Sequence, residues 1–82
     1  MTSQEIEQVV RSLLTQEFRV DEGAIAPEVS FKELGLDSLD VVSLVMSVED
    51  RLGVEIPEED LEGVERYGQA LELLERKVAS RA

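Results

Sequence analysis

Asp37-Ser38-Leu39-Asp40 sets one hydroxyl between two carboxylates, where the turn-rich stretch Phe31-Lys32-Glu33-Leu34-Gly35-Leu36 gives way to an apolar run without Gly or Pro. Asp and Ser are both favoured helix N-caps, so a helix starts here. Its first turn has unpaired N–H groups and the positive end of the macrodipole, a setting that suits a phosphate ester attached beside it. On local physics alone Ser38 is no more than a cap. The chain contains no His and no Cys, so it cannot form a Ser-His or Cys-His pair, and Ser38 stays protonated and weakly nucleophilic. The serine therefore reads as a substrate, and no catalytic residue is expected. Asp37 and Asp40 lack the alternating ligands and central Gly of a calcium loop, so no working metal is expected either.

The combination of residues carries more than the cap. Leu34-Gly35-Leu36-Asp37-Ser38-Leu39, with Phe31 upstream and Gly53-Val54-Glu55-Ile56-Pro57 downstream, resembles the attachment site of the acyl carrier proteins. The resemblance implies a 4'-phosphopantetheine arm, taken from coenzyme A and placed on Ser38 by a phosphopantetheinyl transferase, with Asp37 beside it. It implies a non-enzymatic carrier of acyl thioesters that serves an acyl transferase, a ketosynthase and related basic-surfaced enzymes. Asp37 before the serine points to the fatty acid or polyketide type rather than to aryl or peptidyl carriers. The implied fold is all-α, a small four-helix bundle of three long helices and a short third one, with a long loop between the first two. Many fatty acid carriers place Glu five residues after the serine, as a partner contact, where this chain has Ser43.

Charge and size agree with a small partner-binding domain. The 82 residues carry 19 acidic and 8 basic side chains, a net charge of -11, which disfavours nucleic acid as a partner. Residues 37–65 hold ten acids and one base, Arg51. That excess reads either as a solvated face or as a surface that steers basic enzymes toward the serine. One domain over residues 1–82 and a monomer are expected. The absence of Cys fits the cytoplasm. Met1-Thr2-Ser3-Gln4-Glu5 has no basic region followed by an apolar core, so a signal peptide is not expected, nor is a membrane span.

Thr2-Ser3-Gln4-Glu5 has capping-box form, and Ile6, Val9, Val10, Leu13 and Leu14 recur at helical spacing, predicting a first helix from about residue 3 to 18. The connection to Asp37 is long; Pro27, Val29, Phe31, Leu34 and Leu36 read as its anchors, and Ser30-Phe31-Lys32-Glu33 as a second capping box opening one turn. The second helix is predicted over about 38–52, stopped by Gly53. Val41, Leu44, Val45, Val48 and Leu52 supply its core stripe, which leaves Leu39, Val42 and Met46 over. These three are either a second buried face or an exposed patch for partners, and the resemblance favours the patch.

Ile56-Pro57-Glu58-Glu59-Asp60-Leu61 predicts an extended lead-in to a short helix. Tyr67, Ala70, Leu71, Leu74 and Val78 mark the last helix, whose start at Arg66-Tyr67-Gly68 lacks a Ser or Thr cap and is expected to fray. In the family the second and third helices flank the slot for the acyl chain, which makes Val45, Leu61 and Val64 candidates for its lining; each is otherwise plain core. Leu39, Asp40, Val42, Met46, Glu49, Asp50, Glu58 and Glu59 are the candidate partner contacts. The competing readings are an unmodified carrier-like acidic interaction module and a generic acidic helical domain whose serine is only a cap.

Overall fold

Thr2 and Glu5 open the first helix, α1 (Ser3–Gln16), by a reciprocal cap: the Thr2 hydroxyl accepts from the Glu5 N–H at 3.2 Å and the Glu5 carboxylate from the Thr2 N–H at 3.0 Å. The Thr2 N–H first, and the Thr2 hydroxyl second, hold the Glu5 carboxyl below its ordinary value. In the computed structural model, which describes residues 2–80, two further α-helices follow: α2 (Ser38–Leu52) and α3 (Tyr67–Ser80). Single 3-10 turns at Glu22–Ala24 and Glu58–Leu61 interrupt the two connections. The α1 helix packs against both α2 and α3. Among the described residues, no helix is long and apolar enough to cross a membrane.

The α1 helix stops two residues before the predicted end. Arg19 takes a left-handed φ of 56°, the Val20 N–H turns back to the Leu14 carbonyl at 2.9 Å, and Phe18 packs on the core from outside the helix. The α2 boundaries agree with the predicted ones, and Gly53 ends the helix at φ 65°, ψ 39°, a conformation that costs a residue with a Cβ. The expected short third helix is one 3-10 turn. Its N–H groups bond three residues back, Asp60 to Pro57 and Glu62 to Glu59, and Pro57 on one side and Gly63 at φ 80° on the other leave no room for a longer element.

The long connection between α1 and α2 is tied to the start of α3 through the main chain. Tyr67 N–H donates to the Val29 carbonyl and Gly68 N–H to the Pro27 carbonyl, both at 2.9 Å, and Phe31 N–H to the Glu65 carbonyl at 3.1 Å. At Gly68 an added Cβ would lie 3.0 Å from the Pro27 oxygen, so the backbones meet where only hydrogen fits comfortably. The expected fraying of the last helix is not found. The Val29 and Pro27 carbonyls take the first two helical N–H groups, and Gln69, three residues along from Arg66, folds its side-chain oxygen back to accept from the N–H groups of Glu65 and Arg66 at 2.9 Å each.

One apolar core joins these parts. Ile6, Val10, Leu13 and Leu14 come from α1, Leu44, Val48 and Leu52 from α2, and Tyr67, Leu73 and Leu74 from α3. Val20, Ile25, Phe31 and Leu36 enter from the first connection and Val54 and Ile56 from the second. Of the expected loop anchors, Phe31 and Leu36 are buried, Val29 and Leu34 half-buried, and Pro27 exposed; Ile25 is a buried anchor that helical spacing does not reveal. Burying each such Leu or Ile contributes about 1.5–3 kcal/mol.

Tyr67 is fully buried and its hydroxyl has no hydrogen-bond partner among the described residues. Arg11, paired with Glu7 at 2.9 Å, sits 6.0 Å from the ring centroid. Burial, with Glu7 adding to it, pushes the phenol up to about 12. A folded value above the unfolded one, about 10, means that the neutral ring's stabilisation is complete below pH ~10 and is lost as pH rises toward the folded value. Tyr67 is the only Tyr and the chain has no Trp, so phenolate absorbance reports it alone. The native protein should titrate about two units above the guanidinium-unfolded one. Tyr67→Phe should match wild type in urea or exceed it by up to ~1 kcal/mol, since it removes a buried unpaired hydroxyl; a loss larger than that would mean the hydroxyl is bonded.

Candidate functional site

The cap of α2 is Asp37, not Ser38. Asp37 holds extended geometry (φ -94°, ψ -177°), and its carboxylate accepts from the Asp40 N–H at 2.8 Å. The Asp40 carboxylate returns the bond by accepting from the Asp37 N–H at 3.2 Å. Two acids thus close a capping box, which shifts Ser38 to the first residue inside the helix. There Ser38 is exposed, and no side-chain bond engages its hydroxyl among the described residues. The local reading of Ser38 as a plain cap is overturned, because a serine that capped the helix would have its oxygen turned to an N–H.

Ser30 and Glu33 brace the segment before Asp37. The Ser30 hydroxyl accepts from the Glu33 N–H at 3.0 Å and the Glu33 carboxylate accepts from the Ser30 N–H at 3.1 Å; that N–H first, and the Ser30 hydroxyl second, hold the Glu33 carboxyl below its ordinary range. Buried Leu36 pins the far end of the turn. Between this turn, the start of α2 and Val64-Glu65 lies an open groove of about 570 Å³, with Ser38 and Lys32 on its rim. Behind it is an apolar cavity of about 120 Å³ between α2, α3 and the second connection. Phe31, Val41 and Val64 line both spaces and so form the wall between them.

Val45, Leu61 and Val64, expected from the sequence, all line the cavity. Phe31, Val41, Ile56 and Leu73 line it too; they have no distinguishing pattern, since a residue facing a cavity and one facing its neighbours share the same helical spacing. Leu39, Val42 and Met46 are 76%, 52% and 63% exposed, an apolar strip on the outer side of α2. It is a surface patch rather than a second buried face.

The acidic candidates divide into two groups. Asp50, Glu58 and Glu59 are exposed, and no side-chain hydrogen bond or ion pair engages them among the described residues. Asp40 and Glu49 are half-buried and committed to the fold. Asp40 closes the cap, and the Glu49 carboxylate accepts from the Ile56 N–H at 2.8 Å. The chain after Gly53 doubles back and brings the Ile56 N–H to it. No group of three or more acidic side chains close enough to hold a metal ion occurs among the described residues.

A small helical domain with a free serine on the first turn of its central helix, beside a groove backed by an apolar cavity, fits a carrier of a covalently attached group. The family model for the phosphopantetheine attachment site matches residues 8–74, most of the chain, and the protein belongs to that family. Its members are carriers, not catalysts; their prosthetic group is 4'-phosphopantetheine, and their partners are phosphopantetheinyl transferases and biosynthetic enzymes. Among solved structures, the chain is similar to the crystal structure of an acyl carrier protein from Thermotoga maritima, with a TM-score of 0.82 and 25% identity over 94% of this chain and 91% of that one.

The cap geometry separates the two neighbouring residues. Asp37→Ala should lower unfolding stability by about 0.5–2 kcal/mol. Ser38→Ala should stay within about ±0.5 kcal/mol of wild type. Urea denaturation of the two variants checks both values, and a larger loss for Ser38→Ala would place the cap on the serine.

Proposed function

We propose that the protein is an acyl carrier protein in which Ser38 bears the 4'-phosphopantetheine and residues 1–82 act as one carrier domain. The observation that supports this most is the free Ser38 hydroxyl, held on a rigid first turn by the Asp37–Asp40 cap and opening onto the groove. The residues fit the group: the serine is exposed, and no side chain competes for its oxygen. In the attachment step Ser38 gives its proton to a base of the transferase and its oxygen attacks the phosphorus of coenzyme A. A phosphodiester forms and the bond to adenosine 3',5'-bisphosphate breaks. Once attached, the group supplies the terminal thiol that this Cys-free chain lacks, to carry acyl groups as thioesters.

Asp37 contributes by fixing Ser38 on the helix. Val45, Leu61 and Val64, with Phe31 and Val41 at the mouth, shelter the acyl chain. Leu39, Val42 and Met46 dock on partners, among them an acyl transferase and a ketosynthase of fatty acid or polyketide synthesis in the cytoplasm, while Asp50, Glu58 and Glu59 steer the approach of their basic surfaces. The protein acts as a monomer.

Incubation with coenzyme A, magnesium and a broad-specificity transferase should add one phosphopantetheine by intact mass, and Ser38→Ala, equally folded, should add none. No adduct on the wild type would favour an unmodified acidic interaction module instead. The steering role has its own test. Asp50→Lys and Glu58→Lys should lower transferase kcat/KM several-fold at low salt, with the gap closing as salt rises, at a stability within about ±0.5 kcal/mol of wild type. Equal kcat/KM at low salt would remove those residues from the docking surface. Asp40→Lys, by contrast, should lose stability along with activity, because its carboxylate is part of the cap.

A further inference from the structure

We infer that Glu49 is a positioning residue that limits the length of acyl chain the cavity takes, a role that rests on the acyl-slot reading above. The cavity measures about 120 Å³, and an apolar cavity of about 150 Å³ takes a single benzene. Only a short chain fits without movement of the wall. Three sides of that wall belong to α1, α2 and α3, whose backbones are bonded within each helix. The remaining wall, Phe31 of the first connection and Ile56, Leu61 and Val64 of the second, stands outside the α-helices and yields first.

Several contacts hold the second connection to the rest, among them Gln69 accepting from the Glu65 and Arg66 N–H groups and the Arg66 guanidinium donating to the Glu28 carbonyl. Glu65 accepts from the Phe31 N–H at 3.1 Å, Asp60 pairs with Lys77 of α3, and the Ile56 N–H donates to the Glu49 carboxylate of α2 at 2.8 Å. Of these, only the last engages a residue of the second connection that itself lines the cavity. Ile56 is buried, and the bond is charge-assisted and partly sheltered from water. The Glu49 backbone carbonyl also takes the N–H groups of Gly53 and Val54, at 2.9 and 3.3 Å, so its position is fixed from the helix side. Glu49 thus holds the Ile56 side chain against the cavity, and a chain too long for the space can enter only by pulling Ile56 away from it.

The test uses holo protein loaded with butyryl, hexanoyl, octanoyl and decanoyl groups, each confirmed by intact mass. In wild type the rise in melting temperature on acylation should grow with length and then level off. In Glu49→Ala and the shorter Glu49→Asp, the levelling should move to a chain longer by at least about two methylenes, and Glu49→Gln, whose amide oxygen still accepts from Ile56, should keep the wild-type limit. Hydrogen exchange at the Ile56 amide in the wild type needs no variant: it should speed up by about tenfold once the loaded chain exceeds the limit. An unchanged limit in Glu49→Ala or Glu49→Asp, or an Ile56 amide equally protected at every length, overturns the role of Glu49 while leaving the acyl slot intact. No stabilisation by any chain, with the arm attached, overturns the slot and this role together.

Discussion

The reciprocal bonds between Asp37 and Asp40 are the constraint on which the site depends. Each carboxylate accepts from the other residue's N–H, so two negative groups stand beside a helix N-terminus without meeting head-on, and both favour the positive end of α2. The pair absorbs the capping that Ser38 would otherwise supply. What is left is an alcohol on a rigid element with nothing to do for the fold. A site for covalent attachment needs that separation, since a hydroxyl that held the helix together could not be esterified without loosening it.

The α2 helix divides its apolar residues in the same spirit. Leu44, Val48 and Leu52 are buried, Leu44 and Val48 line the cavity with half-buried Val41 and Val45, and Leu39, Val42 and Met46 lie outside on the surface. One helix thus faces core and cavity on one side and solvent on the other. In a chain with so little to bury, the exposed stripe forgoes stabilisation that a monomer would otherwise take. On the function proposed above, a surface that meets successive partners accounts for keeping it open.

Much of this could be read from the sequence because local rules govern it. The capping boxes at Thr2–Glu5 and Ser30–Glu33, the span of α2, its Gly53 stop and the separation of Leu39, Val42 and Met46 from its core stripe follow from spacing and residue type. Features set by contact across the chain were less legible. The box at the start of α2 uses Asp where Glu or Gln is usual, so Ser38 looked equally able to cap. The inward turn of Glu49 depends on how the chain folds back after Gly53, seven residues before Ile56 N–H arrives. Gln69 secures α3 by reaching back over its own first turn. The short third helix reduces to a 3-10 turn because Pro57 and Gly63 crowd it, which residue type suggests but spacing alone does not decide.

The stitching of residues 27–31 to residues 65–68 runs almost wholly through peptide groups. Arg66 adds a side-chain tie, its guanidinium donating to the Glu28 carbonyl, and at Gly68 a methyl would collide; the other bonds of the join are between peptide groups. The lips of the groove beside Ser38 can therefore be redecorated in charge and size from one relative to another while the opening keeps its width, so the same frame can be fitted to different enzymes by changing its surface alone.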